Sequence, residues 1–196
     1  MEEYPKTLKL KDGTVVRLRL MTPDDLPKLL EFFRGLPQED RLFLKEDVTN
    51  EAVIERWIRE LNYDRVLPVL AEAEGKIVGD ATLHLQKRGW SRHLGEIRLV
   101  VATDFQRKGL GTILAREIFH HAVLRGLQKL QALMMESQIG ALKAFEKLGF
   151  CKAAILKDHV IDLKGNHHNL VIMTNDVGEL WRKIGDLILE SEFTME

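Results

Sequence analysis

Residues 95–111 read Gly-Glu-Ile-Arg-Leu-Val-Val-Ala-Thr-Asp-Phe-Gln-Arg-Lys-Gly-Leu-Gly. The first part of this stretch is rich in β-branched and other apolar residues and predicts a strand over 94–101. Residues 109–124 carry apolar side chains at helical spacing, and Gly126 stands where a helix commonly ends. The stretch therefore predicts a strand, a glycine-containing turn and a helix in direct succession.

The turn at 106–111 is a candidate anion site. Its glycines let the backbone approach a ligand closely, and the first N–H groups of a helix have no partner within the helix. The helix dipole adds partial positive charge there, and Arg107 and Lys108 add two full charges. This combination favours a phosphate or pyrophosphate. A Walker loop and a Rossmann fingerprint need other glycine spacings, which are absent, whereas an empty strand-to-helix turn stays open as an alternative.

The remaining elements follow from periodicity and turn residues. We predict further strands over 15–20, 66–73, 76–85, 130–135, 150–163 and 169–174, the last two forming a hairpin. We predict further helices after Thr22, over 39–61 with a break at 48–50, over 139–148 and over 180–189. The order β-α-α-β-β-β-α-β-α-β-β-α indicates a mixed α/β fold, and we expect one domain over 1–196.

Composition narrows the function. The 29 basic and 30 acidic residues give a net charge of −1, so we expect no nucleic-acid partner. No apolar run approaches the roughly 18 residues that span a bilayer, and the N-terminus lacks signal-peptide character, so we expect a cytoplasmic protein without a membrane partner. The single cysteine, Cys151, is expected to be buried. The adjacent histidines at 120–121 and 167–168 lack acidic partners at ligand spacing, so we expect no metal.

Two segments together resemble the signature of the GNAT superfamily of N-acetyltransferases. The first is 95–101 with the Gln-x-x-Gly-x-Gly turn at 106–111, and the second is Ala-Leu-Lys-Ala-Phe-Glu-Lys-Leu-Gly-Phe at 141–150. They occur in the family's order, and the resemblance covers about residues 14–175. It implies a central, mostly antiparallel twisted sheet flanked by helices, and acetyl-CoA or another acyl-CoA as co-substrate.

The resemblance also implies a cofactor site. The pyrophosphate of CoA would rest on Gln106, Arg107, Lys108, Gly109, Leu110, Gly111 and Thr112, and the pantetheine arm would pair along Leu99, Val100 and Val101. An N–H near Val101 would polarise the thioester carbonyl. Gln138 stands where the family often has Asn, and Phe145 stands where it often has a Tyr that protonates the thiolate. Phe145 has no proton to give, so its expected part is to pack on the cofactor.

Glu96 is the candidate general base. An amine with a pKa near 10.4 is mostly protonated at neutral pH and must lose a proton before it attacks. Glu96 lies five residues before Val101, an offset similar to that of the catalytic Glu in the bacterial protein lysine acetyltransferases of this superfamily. We therefore interpret the chain as an enzyme of direct transfer in a ternary complex. A solvated strand residue paired with Arg98 is the alternative for Glu96.

Several functional readings stay open. The acceptor is a protein lysine or a small amine, the latter in a cleft between 37–61 and the loop at 89–94. The absence of the Tyr keeps open a non-catalytic module that binds or senses acyl-CoA. The predicted helix at 180–189 packs on its own domain or forms a homodimer.

Overall fold

A computed structural model describes residues 4–42, 44–86, 88–162 and 164–178. These residues form a sheet of eight strands in the order β1-β2-β3-β4-β5-β6-β8-β7. The strands are β1 Lys6–Lys9, β2 Val15–Leu20, β3 Val66–Ala73, β4 Lys76–Leu85, β5 Leu94–Val101, β6 Lys129–Met135, β7 Cys151–Ile161 and β8 His167–Asp176. The helices are α1 Leu26–Gly35, α2 Gln38–Arg41, α3 Glu51–Arg59, α4 Leu110–Leu124 and α5 Ile139–Lys147.

The sheet is mostly antiparallel, as the resemblance implied. The pairing of β5 with β6 is parallel, and α4 makes the crossover between these two strands. The other paired neighbours run antiparallel. The mixed α/β fold class is therefore confirmed, and the β-α-β unit lies at the centre of the sheet.

The two faces of the sheet carry different cores. Alternate residues of β4 such as Ala81 and Leu83 pack against α4 in one apolar cluster. On the opposite face, α1 and α3 cover a second cluster with Phe33 and Ile54. Because neighbours along a strand point to opposite faces, the residues that alternate with Ala81 and Leu83 on β4 face the α1–α3 side; they are Asp80, Thr82 and His84. That side of the sheet holds the polar residues described below.

The region between α1 and β3 differs from its prediction. The helix α2 has four residues, and the segment 44–50 is irregular where a longer helix was predicted. Asp47 accepts hydrogen bonds from the Thr49 N–H (3.1 Å) and the Thr49 hydroxyl (2.7 Å), which favours a turn over a helix. Asn50 caps α3, because its side chain accepts from the Ala52 N–H at 3.1 Å.

Strand β1, Cys151 and the C-terminal segment also differ from, or lie beyond, what the sequence predicted. Strand β1 was not predicted; it is four residues long and pairs with β2 beyond the turn at Asp12-Gly13. Cys151 is exposed, so its predicted burial was wrong; β7 is an edge strand whose outer positions face solvent. The predicted helix at 180–189 lies outside the described residues.

Candidate active site

Strands β5 and β6 pair only at one end and then diverge. The pairs are Leu94 with Lys129, Gly95 with Leu130 and Glu96 with Gln131. Beyond them β5 continues beside β4 as far as Val101, and β6 continues beside β8. A gap therefore opens within the sheet immediately after Glu96.

Main-chain groups of β5 face this gap. In an antiparallel pair, successive residues direct their N–H and C=O groups alternately toward and away from the partner strand. The Ala102 N–H donates to the Val78 carbonyl at 3.0 Å, which fixes the phase of the β4–β5 ladder. Leu99 and Val101 consequently direct their N–H groups toward the diverging β6. The Val101 carbonyl accepts from Gln106 Nε2 at 3.2 Å, so Gln106 braces the end of the strand.

The glycine turn adjoins the gap. Arg107 and Gly109 have φ angles of 61° and 93°, and α4 begins at Leu110. Alternation of left- and right-handed residues makes successive N–H groups converge, and the N–H groups at 110–112 precede the first intrahelical bonds. A Cβ added at Gly111 would lie 3.6 Å from Leu99 Cδ2 and 3.8 Å from Val101 Cγ2. The predicted anion site and the predicted pantetheine strand are thus neighbours in space.

Lysines near the turn have different surroundings. Lys108 Nζ lies 2.9 Å from Asp12 Oδ2, and this hydrogen bond is the main cause that lowers the pKa of Asp12 to about 2. The Lys108 ammonium is therefore drawn toward the β1–β2 turn. The stem of Lys11 lies 3.7 Å from the place of a Cβ on Gly109. Lys11 was not predicted, since nothing in the sequence indicates that the β1–β2 turn reaches α4.

The Glu96 carboxylate lies on the α1–α3 side of the sheet, at the mouth of the gap. Its Oε1 accepts from Lys45 Nζ at 2.6 Å and from Arg98 Nε at 2.9 Å, and Gln131 Nε2 lies 3.4 Å from Oε2. Burial raises the pKa of Glu96, but the bonds from Lys45 and Arg98 outweigh burial, so the pKa lies below its ordinary value. The carboxylate is therefore ionised and held by two cations at neutral pH.

Two more titratable groups lie on this face of β4. His84 pairs directly with Glu96 across the ladder, and burial followed by the charge of Arg98 lowers its pKa to about 4. Asp80 pairs with Val100, and burial raises its pKa to about 6 although its carboxylate accepts from the Thr82 hydroxyl at 3.0 Å. Asp80 was missed, although a charged residue within an otherwise apolar strand is a readable signal.

Three predicted cofactor contacts have structural partners of their own. Gln138 Oε1 accepts from the Met135 N–H at 2.8 Å and so joins the end of β6 to α5. Phe145 is buried and packs edge-on against Phe150, with ring centroids 5.0 Å apart. Leu110 is fully buried beneath the first turn of α4, whereas Arg107 and Thr112 are exposed. Arg107 and Thr112 are therefore the side chains of this group that can reach a ligand at the surface of the turn.

The described part of the chain also bears on other classes of site. Within residues 4–42, 44–86, 88–162 and 164–178, no three His, Cys, Asp or Glu side chains come together as a metal site. The same residues contain no helix whose length and hydropathy suit a membrane crossing. The two tyrosines of the chain are both engaged, Tyr4 with Glu117 and His121, and Tyr63 with the Met21 carbonyl.

Comparisons with known proteins agree with this geometry. Residues 28–150 match the model of the Acetyltransferase (GNAT) family. Over 75 residues the chain is 32% identical to a [ribosomal protein bS18]-alanine N-acetyltransferase of Salmonella typhimurium, a match that spans 38% of this chain and half of that enzyme.

Solved structures show the same fold. The GNAT domain of S. lividans PAT superposes with a TM-score of 0.75 at 18% identity, over 89% of this chain and 99% of that domain. A putative acetyltransferase of Salmonella typhimurium, solved with its cofactor acetyl-CoA, superposes with a TM-score of 0.69 at 17% identity, over 83% and 94%. The family match covers more than half of the sequence. The chain therefore belongs to the acetyltransferase (GNAT) family.

Proposed function

We propose that the protein transfers an acetyl or short acyl group from acyl-CoA to a primary amine of a polypeptide, by direct attack in a ternary complex. The observation that carries this proposal is the position of Glu96 at the last paired residue before β5 and β6 diverge. Pantetheine would enter the gap as an additional strand against Leu99 and Val101, and its pyrophosphate would meet the N–H groups at 110–112. This arrangement leaves Glu96 on the side from which an amine approaches.

The distances along β5 favour a water between base and amine. A strand rises about 3.3 Å per residue, so Val101 lies roughly 16 Å from Glu96 and Leu99 roughly 10 Å. Leu99 therefore offers the gap-facing N–H that better suits an oxyanion partner for a reaction near Glu96. A glutamate side chain with one water spans the remaining distance to the attacking amine. We infer that the proton leaves the amine through this water.

The surroundings of Glu96 support a polypeptide acceptor over a small cation. An enclosed acidic cleft suits small amines, but here Lys45 and Arg98 flank the single carboxylate and are both about 40% exposed. The sequence around Glu96 resembles that of bacterial protein lysine acetyltransferases, and the solved GNAT domain of S. lividans PAT shares the fold. A protein lysine is therefore our first acceptor.

A protein N-terminus is the second acceptor, favoured by a specific observation. The lowered pKa of Glu96 makes it a weak base. An α-amino group has a pKa near 7.7–8.0, far below the roughly 10.4 of lysine, so a weak base suffices for it. The match to an enzyme named for N-acetylation of alanine in a ribosomal protein agrees with this reading.

The donor site is tested by thermal denaturation with acetyl-CoA, CoA and ATP, on the wild type and on Gly111→Glu. Gly111 lies in the first turn of α4 without a positive φ, and a Cβ there would make only ordinary van der Waals contacts, so the variant adds a carboxylate without backbone strain. We expect both CoA species to stabilise the wild type, by roughly 2.7 kcal/mol at 100 times the Kd, and not the variant. No stabilisation of the wild type would contradict the proposal.

The acceptor is tested with lysine-containing peptides, peptides that begin with alanine, and small polyamines. We expect turnover with at least one peptide class and a loss of roughly 10²–10⁴-fold in kcat for Glu96→Gln, with CoA binding retained. Binding of acetyl-CoA without turnover of any amine would instead support the non-catalytic module.

A further inference from the structure

A lysine of this chain lies directly at the candidate general base. Lys45 Nζ lies 2.6 Å from Glu96 Oε1, within the distance at which a base takes a proton. The group bound there is a primary ammonium, the same chemical group that the enzyme acetylates. Lys45 belongs to the irregular segment 44–50 between α2 and α3, and its side chain is 43% exposed.

We propose that Lys45 is an intramolecular acetyl acceptor of this enzyme, an inference that rests on the proposed function. The ammonium loses one proton, by way of Glu96 and water, and its nitrogen attacks the thioester carbon. The new C–N bond forms as the C–S bond breaks, and a second proton leaves the nitrogen. One of the two protons returns to the thiolate, so the products are Nε-acetyl-Lys45, CoA and one proton released to solvent.

The approach needs a movement of the side chain along β5. Lys45 Nζ lies at the base, whereas the thioester would lie farther along the strand near Leu99. A lysine has four rotatable bonds, and the segment that carries it is not held in a helix. Tethering raises the effective concentration of the amine at the thioester, so transfer proceeds even though few lysines are deprotonated at neutral pH.

The chain offers a closely matched control lysine. Lys28 Nζ lies 2.5 Å from Glu72 Oε1, and its side chain is 40% exposed, against 43% for Lys45. The two glutamates are also similarly exposed, at 14% and 16%. Glu72 lies on β3, two strands away from the gap. Direct chemical acetylation by acetyl-CoA in solution should therefore affect both lysines equally.

The experiment incubates the full chain with acetyl-CoA and follows acetylation of each lysine by peptide mass spectrometry. We expect Lys45 to be acetylated at least tenfold faster than Lys28. The rate constant should not change on hundred-fold dilution of the protein. In Gly111→Glu, the Lys45 rate should fall to the Lys28 rate.

A second variant separates modification of Lys45 from general reactivity. Lys45→Arg keeps a cation beside Glu96 but cannot be acetylated, so the excess acetyl mass on the intact chain should disappear. Equal rates at Lys45 and Lys28 in a protein that acetyl-CoA stabilises would overturn this inference and leave the proposed function standing. A rate that rises with protein concentration would overturn the intramolecular path. Absence of acetyl-CoA binding would overturn the proposed function itself.

Discussion

At the scale of single residues, the glycine turn separates two glycines that look alike in the sequence. Gly109 has a φ of 93°, in the left-handed region, whereas a Cβ on Gly111 would meet only ordinary contacts at 3.6 and 3.8 Å. The first glycine is therefore required by the backbone, and the second leaves space beside the gap. Arg107, with a φ of 61°, adopts a strained conformation that such sites commonly retain for function.

This difference predicts opposite effects on stability. Gly109→Ala should lower the free energy of unfolding by about 1 kcal/mol or more, because alanine disfavours a positive φ. Gly111→Ala should leave it unchanged or raise it by up to about 1 kcal/mol, because alanine favours the helix. Urea denaturation of the two variants without ligand measures both changes. Equal losses in both variants would contradict the assigned backbone conformations.

Single residues also show which parts of the site could be predicted from the sequence. The turn at 106–111 and the strand before it could be predicted, because glycines, capping and apolar periodicity are local signals. Lys45 could not be predicted beside Glu96, since 51 positions separate them and the segment that carries Lys45 was predicted to be helical. Lys11 was missed for the same reason, because its position beside Gly109 depends on which elements become neighbours.

At the scale of elements, an ion-pair network fixes the start of α1 to the sheet. Arg19 donates from Nη1 and Nη2 to the two oxygens of Asp25, at 2.7 and 2.6 Å, and from Nε to Glu72 at 2.8 Å. The Thr22 N–H donates to the same Asp25 carboxylate at 2.7 Å. Burial raises the pKa of Asp25, but these bonds outweigh burial and keep the pKa below its ordinary value. The capping prediction at Thr22 did not anticipate Arg19 as partner.

Removing Asp25 should loosen α1. Asp25→Ala breaks a buried pair and leaves Arg19 partly uncompensated, so we expect a loss of about 3 kcal/mol in the free energy of unfolding. Lys76→Ala breaks the exposed pair between Lys76 and Glu31 and should leave the free energy of unfolding almost unchanged. Chemical denaturation at pH 7 compares the two. A small loss for Asp25→Ala would mean that water replaces the carboxylate easily.

At the scale of the whole molecule, the shifted pKa values of one buried and two half-buried groups affect how stability depends on pH. Burial lowers the pKa of His84 and of His121 to about 4 from 6.5, so both are neutral in the folded protein. Neutral His121 is satisfied by Tyr4 at 2.7 Å on Nε2 and Arg125 at 3.3 Å on Nδ1. Asp80 has the opposite shift, since burial raises its pKa to about 6 from 3.8.

The signs of these shifts predict a loss of stability on acidification. Each histidine stabilises the fold above pH 6.5 and loses that contribution as the pH falls toward 4, whereas protonation of Asp80 stabilises the fold below pH 6. Each of the three groups changes the free energy of unfolding by about 2 kcal/mol over this interval, the two histidines lowering it and Asp80 raising it. The net loss in the free energy of unfolding is therefore roughly 2–3 kcal/mol between pH 7 and 4.5. Urea denaturation at the two pH values measures this loss.

Two variants assign the loss to its groups. His121→Gln should lose less stability than the wild type over this interval, and Asp80→Asn should lose more, because its compensating proton uptake is gone. The same slope in all three proteins would show that other groups control the pH dependence.

The gap between β5 and β6 affects how many substitutions the sequence can accept around the site. The surfaces it presents are the N–H groups of Leu99 and Val101, which every amino acid except proline carries. A ligand that binds through main-chain hydrogen bonds constrains the neighbouring side chains only by their size. Mutation can therefore replace most of the neighbouring residues while the fold is kept. The GNAT domain of S. lividans PAT, with a TM-score of 0.75 at 18% identity to this chain, agrees with this view.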